Sequence, residues 1–319
     1  MHRYLREVEI GYWLSSEEHA PQDLVAYAKA AEDAGFEHLV ISDHFHPWVD
    51  EQGHAPFVWS VIGGIAATTE RIRLGTGVTC PLIRIHPAIV AQAAATSAAM
   101  MRGRFFLGVG TGENLNEHVL GDKWPRPDVR LQMLGEAVDA IRKLWEGDYQ
   151  TFRSTHYTVE QARLYTLPDE PPPIVIAAAA TNAAQLAGEK GDGLMATSPD
   201  EEVVEEYRKA GGGGPKYGKV TGCFAPSREE ALRLARKRWP NMALGGSLSQ
   251  DLALPRDFEA ATQTVREEDM EDALVLGDDP GAWRDKIDEW RDAGFTHLTL
   301  HSISPEQREF VEFAAQFVP

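Results

Sequence analysis

Apolar and polar positions alternate along this chain on two scales. Short, nearly continuous apolar runs bounded by glycine, proline or charged residues recur near 8–14 (EIGYWL), 37–43, 71–78, 104–110, 173–179, 192–197, 219–225 and 295–302. Runs this short and this apolar predict buried strands. Between them lie segments with helical spacing. From Pro21 to Gly35, Leu24, Tyr27, Ala28 and Ala31 share one face and Gly35 is a stop signal. Further helices are predicted over 57–69, 86–101, 127–146, 182–190, 200–210, 226–238 and 280–293. Strand and helix alternating in this way predict an α/β fold, a (β/α)8 TIM barrel. A doubly wound sheet would be expected to open with a glycine-rich turn after its first strand, and Gly11-Tyr12-Trp13-Leu14-Ser15 is not one.

Three segments interrupt the alternation and read as insertions in one barrel domain spanning 1–319. Residues 114–126 lengthen the loop after the fourth strand. Residues 147–172 look like a small hairpin leading into Pro171-Pro172-Pro173. Residues 241–279 carry Gly245-Gly246-Ser247 and an acidic run from Glu267 to Asp272, and are placed to cover the mouth of the barrel.

Composition narrows the function classes. The 319 residues are 43% hydrophobic, enough for a large core, and their net charge of −18 opposes binding to nucleic acid or an anionic membrane. The start, Met1 to Glu7, has no apolar targeting core and no stretch is long enough to span a bilayer, so a cytoplasmic protein is expected. Cys80 and Cys223 are far apart and form no CxxC, which supplies neither a disulfide framework nor a zinc site.

Candidate chemistry lies at the strand ends. The apolar run before Ser42 stops in Asp43, His44 and Trp48, and Phe105 to Val109 runs into Gly110-Thr111-Gly112-Glu113-Asn114. All strands of a barrel end at the same mouth, so these residues converge with Glu17, Gly77-Val78, Asn116, Ala179-Ala180, Thr197 and His301. Each has a plainer reading taken alone. His44 could be a structural histidine, Asp43 an N-cap, Trp48 packing, and Glu113 a helix N-terminal acid. Their placement on successive strand ends favours a site. The titratable groups supply proton transfer and the small residues leave room for a flat ligand. His44-Phe45-His46 also matches the HxH of metal-dependent hydrolases, but the ends of strands five and six, Ala177 to Ala180 and Ala196-Thr197-Ser198, offer no further ligand. No metal is expected, and no Gly-x-Ser-x-Gly elbow occurs.

These motifs resemble the bacterial luciferase-like superfamily. Ser42-Asp43-His44-Phe45, Pro47-Trp48, His54-Ala55-Pro56-Phe57, Leu74-Gly75-Thr76-Gly77-Val78 and the segment from Gly108 to Glu117 are most similar to the branch of deazaflavin-dependent glucose-6-phosphate dehydrogenases. The resemblance implies a barrel with insertions, a homodimer, and coenzyme F420 or, in other branches, FMN. It implies that His44 and Glu113 are a catalytic acid–base pair, with Trp48 beside the reacting centre and Glu17 a further acid. Asp43, Cys80, Thr111, Gly112, Asn116, Ala179 and Ala180 fall at cofactor positions and Thr197 at a substrate position. Gly77–Val78 falls where the family has a non-proline cis peptide behind the ring. Hydride removal from an alcohol needs a base for the hydroxyl proton, which an imidazole suits; Asp43 or another carboxylate would orient it. Glu113, if buried and protonated, would neutralise the reduced ring; which of the pair is acid and which base stays open.

The chain departs from the sugar-phosphate branch in two places. Asp200 stands where that branch has a phosphate-binding lysine, and no lysine occurs between Lys237 and Lys286, where acids lie instead. Glucose 6-phosphate is therefore expected to be a poor substrate unless Arg256 or Arg266 rescues it. Ala179-Ala180 replaces a Gly-Gly that lies along the coenzyme's phosphate arm. Three readings follow: an F420-dependent oxidoreductase acting on a small alcohol, sugar or carbonyl; an FMN-dependent monooxygenase; and a non-catalytic flavin-binding barrel.

Overall fold

The computed structural model describes residues 8–244, 246–271 and 274–318. Met1 to Glu7, Gly245 and Asp272, which entered the sequence expectations above, lie outside the described residues. The strands in chain order are β1 (Glu9–Leu14), β2 (His38–Ile41), β3 (Arg73–Thr76), β4 (Phe105–Val109), β5 (Gln150–Arg153), β6 (Thr158–Ala162), β7 (Ile174–Ala177), β8 (Gly193–Ala196), β9 (Lys216–Cys223), β10 (Val275–Leu276) and β11 (His297–Ser302). Pairing runs β9-β11-β1-β2-β3-β4-β7-β8, and β8 pairs back to β9, closing a ring of eight parallel strands. Each apolar run of the sequence is one of these strands.

Local chemistry fixes where the surrounding helices start. Pro21, Pro87, Pro127 and Pro280 occupy the first helical turn, where a missing N–H costs nothing. Asp200 and Ser227 cap the helices Glu201–Lys209 and Arg228–Arg238 with their side chains.

The barrel interior is a packed core at its lower end. Phe106 and Tyr217 stack at 4.7 Å, His38 and His297 pack against Tyr217, and Trp13, Val40, Val175 and Met195 join them. Lys219 lies two residues beyond Tyr217 on β9, and His301 four beyond His297 on β11, so polar groups begin toward the strands' C-terminal ends.

The insertions decorate that end. Residues 114–126 open with the short helix Asn114–Glu117. The strands β5 and β6 form the expected antiparallel hairpin. In the insertion over 241–279 the described residues up to 271 form mainly short helical turns, followed by β10, and they reach the loops after β2 and β4: Asn114 donates to the Asp251 carbonyl at 2.9 Å, and Trp48 meets Phe258 edge-on at 5.3 Å.

Candidate active site

The chain turns sharply after β2, which presents His44 at 9% exposure. Its Nε2 lies 3.3 Å from Glu17 Oε1. Its Nδ1 lies 3.1 Å from the His46 carbonyl and 3.2 Å from the Asn116 side-chain nitrogen. The Trp48 ring centre is 5.1 Å from the imidazole. Trp48 is held by Phe258 against its ring and by its backbone N–H, which donates to the Gln52 side-chain oxygen at 2.8 Å.

Glu17 is 3% exposed, and burial alone would raise its pKa. The His44 ring, a hydrogen bond donated by Ser42 and the charge of Lys219 outweigh burial and hold the carboxyl below its ordinary range. Ser15 adds a hydrogen bond at 3.1 Å. Glu17 is therefore an anion at neutral pH, fixed against one edge of the imidazole.

Asn116 joins the two halves of the expected pair. Its carbonyl oxygen accepts from the backbone N–H of Phe45 at 2.8 Å, and its amide donates toward Glu113 Oε2 at 3.3 Å. With its 3.2 Å approach to His44, this 2%-exposed side chain bridges imidazole and carboxylate. Glu113 stands at the N-cap position of Asn114–Glu117 but makes no side-chain cap bond, so the helix-end reading does not account for it. It is half-buried rather than enclosed, which departs from the expectation of a buried acid.

Several expectations need correction. Asp43 does not orient the His44 ring; Glu17 does. The Asp43 carboxylate is enclosed, with one oxygen taken by Arg84 at 2.8 Å and the other by the Thr79 hydroxyl at 2.8 Å. Arg84 also reaches Glu117, at 3.5 Å, so a buried cation lies between two buried acids. Cys80, expected at a cofactor position, is 4% exposed and packs beneath Gly112, where an added Cβ would lie 2.6 Å from its sulfur. Gly112 has φ +69°, a conformation that disfavours side chains in any case. His301 is sunk below the mouth at 1% exposure, its Nε2 3.4 Å from Glu18, which Arg238 pairs at 3.1 Å. Asp200 is a helix cap, accepting from Glu202 at 2.9 Å. Three acids of the last insertion are matched locally: Glu271 pairs with Arg228 at 2.8 Å on the outer helix Arg228–Arg238, and Glu268 and Asp269 pair with Arg266. Arg266 is thereby engaged, and Arg256 lies 4.0 Å from Asp257.

Beside this cluster runs a row of small, partly open residues across neighbouring strand ends. Gly77, Val78, Thr111 and Gly112 are half-buried, and Ala179, Ala180 and Thr197 are exposed. The Gly77–Val78 peptide is cis. Ala180 is extended, with φ −155°, and neither Ala179 nor Ala180 has a positive φ, so the backbone there does not demand glycine. His46, the second histidine of the HxH, hydrogen-bonds the Leu115 carbonyl through Nδ1 at 2.9 Å and stacks on His118. Among the described residues no three His, Cys, Asp or Glu side chains group as a metal would require.

Sequence reasoning missed Arg84, Ser42, Asn116's bridging role and the Glu18–Arg238 pair. Only Arg84 had a signal, as a cation in an otherwise apolar stretch between Leu82 and Ile85.

The family model described as luciferase-like monooxygenase matches residues 5–297. The chain is 35% identical to the F420-dependent glucose-6-phosphate dehydrogenase of Beutenbergia cavernae, over 98% of this chain and 97% of that one. It is 36% identical to the enzyme of the same name from Mycobacterium avium, over 97% and 96%. Among solved structures, an F420-dependent secondary alcohol dehydrogenase in complex with an F420-acetone adduct superposes with a TM-score of 0.91 at 29% identity, covering 98% of both chains. With the closed parallel barrel and full-length similarity together, the chain belongs to the luciferase-like monooxygenase family.

Proposed function

We propose that this protein is an F420-dependent oxidoreductase that moves a hydride between the deazaflavin and a CH–OH carbon of a small alcohol, sugar or the matching carbonyl compound, with glucose 6-phosphate a poor substrate. The carrying observation is the continuous set Glu17–His44–Asn116–Glu113 with Trp48 against the imidazole. The coenzyme, when bound, supplies the two-electron hydride acceptor.

The residues fit such a group. The row from Gly77 to Thr197 gives a flat, side-chain-poor bed. The exposed Ala179 and Ala180 precede the N-terminus of the helix Thr181–Lys190, whose free N–H groups suit a phosphate. Their two methyls stand in open backbone, which favours tolerance of the longer coenzyme over its exclusion.

The proton chemistry follows from the hydrogen bonds. In the neutral ring with its proton on Nδ1, the His46 carbonyl accepts that proton and Nε2 is left as the base; in this tautomer the Asn116 amide touches Nδ1 without donating to it and is directed to Glu113. Once Nε2 takes the substrate's hydroxyl proton, the imidazolium has an acceptor on each side: the His46 carbonyl at 3.1 Å and the Glu17 carboxylate at 3.3 Å. Charge formed in the reaction is thus met by groups already in place. Glu113, partly open and tied to Asn116, stands on the cofactor side of that bridge as the second proton-handling group. Trp48 and Phe258 shield the pair from water.

Asp200 supplies no cation at the position where the sugar-phosphate branch has its lysine, which supports weak use of glucose 6-phosphate. Purified protein should bind F420 and reduce it with small alcohols, read by the deazaflavin's visible absorbance, and should do so poorly with glucose 6-phosphate. Tight FMN binding with none of F420, or oxygen consumption with reduced FMN, would overturn the cofactor assignment. Efficient turnover of glucose 6-phosphate would overturn the substrate restriction.

A further inference from the structure

One cation in the barrel interior has no counter-ion. Lys219, half-buried on β9, places its Nζ 4.4 Å from the centre of the Trp13 ring and 5.8 Å from that of Trp239. It makes no hydrogen bond or ion pair among the described residues. Indole faces attract an ammonium group but accept no hydrogen bond of ordinary strength, so its three donors remain unfilled. The acids that act on it through space are engaged elsewhere. Glu17 is taken by His44 and Ser42, and Glu18 by Arg238 and His301. Glu113 is held by Asn116.

A second unsatisfied group lies in the same box. His301, 1% exposed, packs against Trp13 at 6.2 Å and Trp239 at 5.2 Å, and its Nδ1 has no hydrogen-bond partner. Two indoles therefore enclose a lysine that lacks an acceptor beside a histidine edge that lacks a donor, since the neutral ring donates through Nε2 to Glu18 and keeps a lone pair on Nδ1. The box lies beside the imidazole of His44: its His301 contacts Glu18 at 3.4 Å, and the preceding residue, Glu17, lies 3.3 Å from His44 Nε2.

We propose that Lys219 is the substrate-anchoring residue of this site, and that the substrate is a short hydroxy acid whose carboxylate binds Lys219 between Trp13 and Trp239. One uncommitted cation matches a carboxylate's single charge. A phosphate dianion would need a second, and the part-buried arginines Arg238 and Arg84 are already bound to Glu18 and to Asp43 and Glu117. The inference rests on the hydride-transfer reading above. The carbinol carbon gives its hydride to the coenzyme and its hydroxyl proton to His44, leaving the oxo acid and the reduced deazaflavin.

The test compares short hydroxy acids with their neutral methyl esters in wild type, Lys219→Met and Lys219→Arg, with F420 binding measured in each to confirm a folded site. Wild type should prefer the acids by roughly 10- to 100-fold in kcat/KM, the difference expected for one charge-assisted hydrogen bond. Lys219→Met should raise KM for the acids at least tenfold more than for the esters, and Lys219→Arg should restore part of the preference. Equal use of acids and esters by wild type, or equal losses for both in Lys219→Met, would overturn the assignment. If no compound reduces the coenzyme, the hydride reading fails separately. The anchoring site is then read by titrating Trp fluorescence with lactate: saturable quenching lost in Lys219→Met supports it, and its absence in wild type refutes it.

Discussion

Glu17 and Arg84 show how single buried charges divide the labour at this site. Glu17 faces the Nε2 edge of His44, and its carboxyl is held below its ordinary range by the ring, Ser42 and Lys219 against the opposing effect of burial. Glu17→Gln keeps the shape and removes the charge that, on the proposed function, receives the imidazolium. It should lower kcat for alcohol oxidation by about 100-fold or more while changing the affinity for F420 little. A kcat within a few-fold of wild type would show that Glu17 is not the group that steadies the protonated ring. Arg84 touches no reacting atom. Its side chain is 7% exposed and neutralises Asp43 and Glu117, both fully enclosed. Arg84→Met should therefore act on stability, costing about 3–5 kcal/mol because two buried acids lose their only cation. Denaturant unfolding would measure that loss. Unchanged stability with abolished activity would move Arg84 into the catalytic group.

At the scale of elements, the insertion over 241–279 acts as a brace for the loop after β2. Phe258, fully buried in the short helix Pro255–Ala261, holds the Trp48 ring edge-on, and Gln52 ties the same loop to the Arg238 carbonyl at 3.1 Å. Phe258→Ala should release Trp48, seen as a change in its fluorescence and a KM for substrate raised severalfold, alongside a stability loss of about 3 kcal/mol. An unaltered KM with the same stability loss would make this contact packing alone. This brace was not legible in the sequence, whereas the barrel was. Strands such as Phe105–Val109 are covered on both faces, so they read as unbroken apolar runs whatever their neighbours. Helices of four to seven residues, such as Leu248–Asp251 and Pro255–Ala261, carry too few turns for a periodicity to show. The site divides in the same way. His44, Trp48, Glu17 and Glu113 were legible because each interrupts or follows an apolar strand with a residue the core does not need. Arg84, Arg238 and Lys219 were not, since their meaning depends on partners the fold alone brings close. Glu18 and Arg238 are 220 residues apart. Asp200, read in the sequence only as an acid in place of a lysine, has the added task of capping the helix Glu201–Lys209.

Across the whole molecule, buried histidines tie the fold to pH. Burial pushes His19 and His297 down to about 4, and holds His38 and His301 well below the ordinary value. His38 is fully buried with neither ring nitrogen hydrogen-bonded, so a proton there would find no acceptor. These groups stay neutral in the native protein but become protonated in the unfolded chain once pH falls through about 6.5. Between that value and about 4 the unfolded state binds more protons, and native stability declines as pH falls. Each histidine contributes a slope approaching about 1.4 kcal/mol per pH unit at the acid end of that window. Glu18, Glu37 and Glu117, raised by burial, act in the opposite sense, because the native state takes up their protons first. Three such acids stand against five histidines, since burial lowers His86 too, which leaves a net loss on acidification. The thermal midpoint should fall steeply from pH 7 to pH 5, and His38→Leu should flatten the curve by about one proton's worth. Tyr217 and His297 already wall that position with apolar ring surface, and the Leu side chain keeps contact with them. A midpoint that holds level over this range, or a slope that His38→Leu leaves untouched, would mean these rings gain their protons in the native state and that the lower barrel admits water.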